Sequence, residues 1–240
     1  MEAIILAAGW GQRLQPVSKG KTKTLLPIGG QTLLERIVVH CAGLGIEEFC
    51  VVGGYGLPEL LKALDKLKTA ARRFDVVVND DFRETNTGFS LLLALEQVRG
   101  KDALIVNGDL LFHPQILEDI VSSPTSAISV DDFKELTPES IKVVIENNII
   151  KHITKSIEIG LAHGEYIGLA KIIEKDLRLL YRVLGQIVRE DKNAYYDYAF
   201  APVSSKTALA TVSTKGLPWT EIDDLKDFEN AKTLAAEWKI

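Results

Sequence analysis

AIILAAGWGQRLQPVSKGKTKTLLPIGGQTLL, residues 3–34, is the stretch on which the fold turns. Its apolar run, residues 4–8, reads as a buried strand. The run breaks at Gly9-Trp10-Gly11, where glycine lets the backbone turn sharply and approach a ligand. Arg13, Lys19, Lys21 and Lys23 follow, and the stretch holds no Asp or Glu. The whole chain carries −5, so these four cations leave −9 for the remainder. A positive island on an acidic chain argues for a small anionic ligand and against a nucleic-acid face. Backbone N–H groups beside glycines, joined by Arg and Lys, suit a polyphosphate.

Two common phosphate loops fail on stated positions. The pattern G-x-x-x-x-G-K-[ST] finds its tail in Gly20-Lys21-Thr22, but its first glycine falls on Gln15. The dinucleotide pattern G-x-G-x-x-G fits Gly9 and Gly11, but its third position is Leu14, and Pro16 discourages an immediate helix. What remains is Leu6-Ala7-Ala8-Gly9-Trp10-Gly11-Gln12-Arg13-Leu14, then Lys23, then LLPIGGQTLLE over residues 25–35. This resembles the signature of the nucleotidyltransferases that join a nucleoside triphosphate to a phosphorylated small molecule. Thr22 stands where that family usually has Pro, which loosens the loop without removing charge.

Composition sets the frame. A chain of 240 residues, 46% hydrophobic and 25% charged, is long enough for one large α/β domain, expected over residues 1–240. Cys41 and Cys50 lack metal-ligand spacing and read as reduced core residues, which fits the cytoplasm. No apolar run reaches the length of a membrane span, and Glu2 with no basic lead-in argues against a signal peptide.

Along the chain, residues 32–44 form an amphipathic helix opened by a Thr32/Glu35 capping box. Residues 48–52 and 74–78 read as strands around a helix at 57–67. Such alternation indicates parallel βαβ units with ligands at the carboxyl ends of strands. Residues 89–98 read as a helix with Asn86 and Thr87 ahead of it, as caps, as nucleotide contacts, or as both. Residues 103–106 form a central strand delivering Asn107-Gly108-Asp109, either a turn or a magnesium site. His113 and Pro114 open a helix reaching residue 121. Strands follow at 127–130, 141–145, 149–153 and 165–173, with Asn147-Asn148 as a hairpin turn and Gly168 as a bulge or a close backbone approach to a ligand. A helix covers 176–188. In NAYYDYAF, residues 193–200, Asp197 sits among tyrosines, as core packing or as a cation site. Trp219-Thr220-Glu221-Ile222-Asp223-Asp224 precedes a helix over 225–238, with Asp223 or Asp224 as its N-cap. His152 and His163 read as surface residues.

The resemblance sharpens these choices. It implies a Rossmann-like, three-layer α/β fold with a mixed, mostly parallel sheet. It is nearest to cytidylyltransferases of the phosphocholine and 2-aminoethylphosphonate type. Those carry a polar pair before an aromatic-Ser-Leu, here Asn86-Thr87 before Phe89-Ser90-Leu91, and an aromatic-x-E-I-D segment, here residues 219–223. The implied reaction couples CTP to a small phosphorylated or phosphonate acceptor, with Mg²⁺ as cofactor and pyrophosphate released. Arg13 and Lys23 would be catalytic. Leu6, Ala7, Ala8, Gly9, Gly11, Asn86 and Ser90 would bind the nucleotide. Glu165, Tyr195 and Asp197 would bind the acceptor, and Asp109, Asp223 and Glu221 the metal. Inositol phosphate or a sugar 1-phosphate with CTP, UTP or dTTP stays open as an alternative, as does a nucleotide-binding regulator without turnover. No nucleic acid or membrane partner is implied, and a homodimer is left open.

Overall fold

The computed structural model describes residues 1–98 and 100–238. The chain opens with β1 (Glu2–Leu6), a 3-10 turn (Gln12–Leu14) and the single turn α1 (Gln15–Ser18). A tight ribbon follows, β2 (Pro27–Ile28) against β3 (Gln31–Thr32), then α2 (Leu33–Gly43), β4 (Glu48–Gly53), α3 (Leu57–Lys66) and β5 (Arg73–Val78). Next come α4 (Thr87–Leu95), β6 (Ala103–Asn107), β7 (Leu110–Phe112), α5 (Pro114–Val121), β8 (Ser126–Asp131), β9 (Lys142–Glu146) and β10 (Ile149–Thr154). The chain closes with β11 (Gly164–Ile172), α6 (Glu174–Glu190), α7 (Phe200–Ser204), β12 (Leu209–Ser213), β13 (Trp219–Glu221) and α8 (Leu225–Glu237).

One sheet runs β10-β9-β11-β6-β1-β4-β5, with β8 on β11 and β12 on β8. Strands β6, β1, β4 and β5 are parallel, while β11 lies antiparallel to β6, β8 and β9. The period of two along β1 explains the layering. Ile4 and Leu6 face α4 and α6, whereas Ala3 and Ile5 face α2, α3 and α5. Each fully buried Leu or Ile contributes about 1.5–3 kcal/mol. A third cluster packs Phe228 and Ala231 of α8 on Leu14, Ile28, Leu111 and Ile222. It ties the end of the described chain to the turn after β1.

Several expected boundaries move. The first strand ends at Leu6 rather than residue 8, because the Ala7 carbonyl leaves the ladder to accept the Thr22 hydroxyl at 2.9 Å. Pro16 does not delay helical backbone. It sits in the first turn of α1, where its missing N–H costs nothing. Helix α4 begins at Thr87 and ends at Leu95, not 89–98, because Asn86 caps it and accepts from the Thr87 N–H at 2.8 Å. Helix α6 runs beyond 176–188 at both ends, with Glu174 and Asp176 favourable in its first turn. The Thr32/Glu35 capping box is present as read. Asn147 and Asn148 both take the left-handed conformation that a two-residue hairpin turn requires. Cys41 and Cys50 are free and buried, and burial pushes both thiols up to about 12. Among the described residues, no helix is long and apolar enough to cross a membrane.

Gly168 does mark a bulge: the β11–β8 register shifts between Tyr166 and Ala170, and its φ is +86°. A Cβ there would meet the Asn107 side chain at 2.5 Å. Gly168→Ala is therefore expected to lower the free energy of unfolding by about 2–4 kcal/mol, from left-handed strain plus overpacking. Urea denaturation measures this, and an unchanged midpoint would contradict it.

Candidate active site

The carboxyl ends of β1 and β6 meet the turn after β1 and the small ladder of β7 with β13. Gly108 permits the close approach of β6 to β1, since a Cβ there would sit 2.6 Å from the Leu6 carbonyl oxygen. Gly11, at φ +57°, lets Lys23 pass over the turn; a Cβ on it would lie 2.5 Å from the Lys23 Cγ. The ladder pairs Glu221 with Leu110, and the Ile222 N–H donates to the Asp109 carbonyl at 3.1 Å. Asp109 and Asp223 are thereby held beside each other.

Lys23 lies between them. Its Nζ is 2.5 Å from Asp109 Oδ2 and 2.8 Å from Asp223 Oδ1, with 17% of the side chain exposed. Burial alone would lower the Lys23 pKa, but the two carboxylates outweigh it and raise the pKa above its ordinary value. Arg13 reaches Asp223 Oδ2 at 3.7 Å from a mostly exposed position. Burial would raise the Asp223 pKa; Lys23 and Arg13 overrule that and hold it below the usual carboxylate value. Asp224, not Asp223, caps α8, accepting from the N–H groups of Lys226 and Asp227. The N-cap role read for this segment falls on Asp224, which leaves the Asp223 carboxylate to Lys23 and Arg13.

Glu221 sits behind this cluster. Its Oε1 accepts from Asn107 Nδ2 at 3.2 Å, and Asn107 Oδ1 accepts from the Tyr196 hydroxyl at 2.9 Å. That hydroxyl is 2.7 Å from the hydroxyl of buried Tyr166. Burial first, then repulsion by Asp109 and Asp223, drives the Glu221 pKa well above the carboxylate range. Among the described residues, no three His, Cys, Asp or Glu side chains form a metal cage. The Lys23 ammonium occupies the space between the two aspartates. The donors are nevertheless all carboxylate oxygen, which fits a hard divalent cation that completes its shell with substrate phosphates.

These groups line a cavity of about 310 Å³. Of the residues expected at the site, Leu6, Ala7, Gly9, Gly11, Arg13, Lys23, Asn86, Asp109, Tyr195, Asp197, Glu221 and Asp223 form its wall. Three do not. Ala8 stands behind the wall, its carbonyl accepting from the Tyr55 N–H at 3.1 Å. Ser90 is buried and accepts from Asn79 Nδ2 at 3.0 Å. Glu165 leaves because side chains alternate along β11: Tyr166 joins the core, while Glu165 pairs in register with Asp131 and Lys142.

The aromatic segment resolves mostly into core packing. Tyr196 and Phe200 are buried with Tyr166. Tyr195 faces the cavity, and Asp197, only 2% exposed, lines it too. Asp197 Oδ2 has no hydrogen-bond partner, and burial pushes its pKa up to about 7. Lys155, at the edge of β10, also enters the wall, 3.2 Å from Glu139 Oε2 and 5.7 Å from the Tyr195 ring centre. A single lysine after a hairpin strand gave no sequence signal. Thr87 and Tyr196 line it as well, from segments read as possible contacts, and Thr22, Thr24, Asn107, Gly108 and Ile141 complete the wall unforeseen as lining residues, although Asn107 and Gly108 lie in the quoted N-G-D.

A glycine turn, two aspartates bridged by a lysine and a parallel half-sheet form a site of the nucleotidyltransferase type. The chain belongs to the family described as the MobA-like NTP transferase domain, whose model matches residues 3–154. It is 27% identical over 241 aligned positions to the CMP-5'-(3-aminopropyl)phosphonate synthase of Streptomyces rubellomurinus, covering 96% of this chain and 38% of that protein. It is 26% identical over 230 positions to the bifunctional IPC transferase and DIPP synthase of Aquifex aeolicus, covering 96% of this chain and 50% of that one. The chain thus spans half or less of the length of these relatives. In fold it matches the inositol-1-phosphate CTP transferase of T. maritima, with a TM-score of 0.80, 22% identity, and 98% and 96% of the two chains covered. The fold is accordingly Rossmann-like.

Asp197 supplies a pH test. Its folded pKa lies near 7, above the ordinary 3.8, so the folded state holds a proton that the unfolded state has released. Asp197 therefore makes stability fall as pH rises from about 4 to about 7. Asp197→Asn is expected to flatten the fall across that window in urea titrations. Parallel wild-type and variant profiles would contradict this.

Proposed function

We propose that the chain is a magnesium-dependent cytidylyltransferase joining CTP to a small aminoalkyl phosphonate or phosphate, giving a CMP- or CDP-linked product and pyrophosphate. The observation that carries the reading is the meeting of Arg13, Lys23, Asp109 and Asp223 in one cavity beneath the glycine turn. The names of the two relatives, one a CMP-phosphonate synthase and one an IPC transferase, support cytidylyl transfer.

The reaction needs positioning and charge neutralisation rather than a covalent enzyme intermediate. An acceptor oxygen bonds to the α-phosphorus while the bond to the bridging oxygen breaks, its electron pair leaving with pyrophosphate. The acceptor phosphoryl group is ionised near neutral pH, so no strong base is required. Asp109 and Asp223 would hold magnesium, which supplies Lewis-acid neutralisation of the phosphates when bound. Lys23, kept charged, and Arg13 stabilise charge on the α-phosphate and the leaving group. The N–H groups of the turn near Gly9 and Gly11 cradle phosphate oxygens.

For the acceptor, Asp197 belongs to the cavity wall and its buried Oδ2 lacks a hydrogen-bond partner, a combination suited to an ammonium group. Lys155 lies in the same wall, suited to the phosphonate. Of the rings in the segment only Tyr195 and Tyr196 line the cavity, and the Tyr196 hydroxyl is already engaged. That favours a primary amine over a quaternary one, which needs a cage of rings. A polyol phosphate is the second reading, because Asp197 also accepts from hydroxyls.

Pyrophosphate release should be screened with four nucleoside triphosphates against aminoalkylphosphonates, phosphocholine and inositol 1-phosphate. CTP with an aminoalkylphosphonate is expected to turn over best. Asp109→Asn and Lys23→Ala are each expected to cut kcat/KM by about 100-fold or more while staying folded. Asp197→Asn is expected to raise the acceptor KM by about tenfold or more and leave the CTP KM near wild type. A folded, fully active Asp109→Asn enzyme would overturn the mechanism. Best turnover on inositol phosphate would overturn the amine assignment alone.

A further inference from the structure

A second opening adjoins the cavity. It is a groove of about 560 Å³ running from Lys23 and Asp223, past residues 11–13 of the turn, to Phe82 and Arg83. It shares only Gly11, Arg13, Lys23 and Asp223 with the cavity. The wall expected to receive the acceptor, with Lys155, Tyr195 and Asp197, belongs to the cavity and not to the groove.

Arg83 is exposed at the far end, and its position is held by rings. Its Cζ lies 4.9 Å from the centre of the Trp10 indole and 5.6 Å from that of Phe82. Trp10 is itself braced. Its carbonyl accepts from Gln15 Nε2 at 3.1 Å, its ring lies 6.0 Å from that of Tyr55, and the Tyr55 hydroxyl donates to Gln15 Oε1 at 3.0 Å. A guanidinium lying on aromatic faces keeps its N–H edge free for an anion, and its flat fork loses little freedom on binding. Of the three cations lining the groove, Lys23 and Arg13 are paired with Asp223. Among the described residues, no carboxylate lies within ion-pair distance of Arg83.

We infer that Arg83, seated on Trp10, is a substrate-positioning residue that receives the β- and γ-phosphates of the nucleotide and hence the departing pyrophosphate. The inference rests on the nucleotidyltransferase reading and deepens it. In-line displacement at the α-phosphorus sends the leaving group away from the attacking oxygen. With the acceptor in the cavity and the α-phosphate at Lys23, the polyphosphate tail runs into the groove. There the paired cations Arg13 and Lys23 are joined by an unpaired one.

The test is calorimetric titration of the full chain, with Mg²⁺, using CTP, CMP and pyrophosphate as separate probes, on wild type and Arg83→Gln. The substitution is at an exposed position, and circular dichroism checks that the variant is folded. Affinity for CTP and for pyrophosphate is expected to fall by about fivefold to tenfold, with CMP affinity unchanged. In turnover, the CTP KM rises, the acceptor KM stays, and inhibition by pyrophosphate weakens by the same factor. Arg83→Lys recovers part of the loss. Unchanged CTP and pyrophosphate affinity overturns the inference. An equal loss for CMP also overturns it, by assigning the groove to the nucleoside. Wild type that neither binds CTP nor releases pyrophosphate from any nucleotide overturns the nucleotidyltransferase reading itself, a result distinct from the other two.

Discussion

One ammonium group between two carboxylates governs this molecule. Lys23 meets Asp109 and Asp223, residues drawn from three distant parts of the chain, with Glu221 close behind. Three acids around one lysine would carry excess negative charge in a half-buried place, and each desolvated ion costs several kcal/mol. Two features contain that cost. Lys23 stays charged, and Glu221 is pushed toward its protonated form, accepting from Asn107 at its other face. In the proposed reaction, a divalent cation arriving with phosphate oxygens would meet carboxylates whose charge Lys23 and Arg13 now offset.

The architecture exists to bring these groups together. Parallel β1 and β6 deliver the glycine turn and Asp109 to the same edge, as βαβ topology dictates. The third contribution comes from the three-residue ladder of β7 and β13, which lays residue 222 on residue 109. Just beyond it, Asp224 and Asp227 cap α8 reciprocally, so Asp223 is spared that duty and turns toward Lys23. Behind the wall, the bulge at Gly168 makes room for Asn107, and the Tyr166–Tyr196 pair fixes its amide. Stability and chemistry therefore share residues, most directly at Asn107.

Much of this was legible because it is local. The glycine turn with its cations, the capping box at Thr32, the Asn-Asn hairpin and the Gly168 bulge each need a particular residue type at a particular backbone position. The longer helices and the strands β4, β5, β6 and β11 followed from periodicity, whereas α1, α7, β12 and the short ladders did not. What was illegible is non-local. The β7–β13 ladder consists of three-residue strands whose pairing spans more than 100 residues, so neither period nor turn chemistry announces it. Lys155 looks like any surface lysine until the sheet carries it to the cavity. Ser90 and Glu165 sit in suggestive motifs, yet which face their side chains take is decided by packing: Asn79 claims Ser90, and strand alternation turns Glu165 away. The tyrosines of residues 193–200 read equally as core or as ligand cage because aromatic rings serve both, and only the buried hydroxyl network separates Tyr196 from Tyr195.

The central claim is that Asp109 and Asp223 couple a metal ion to the nucleotide at Lys23. Calorimetric titration of CTP with and without Mg²⁺, on wild type and on the Asp109→Asn/Asp223→Asn double variant, addresses it without relying on turnover or on the acceptor. Magnesium is predicted to tighten CTP binding to wild type by about tenfold or more and to leave the double variant's affinity unchanged. An equal magnesium effect on both proteins would contradict the account.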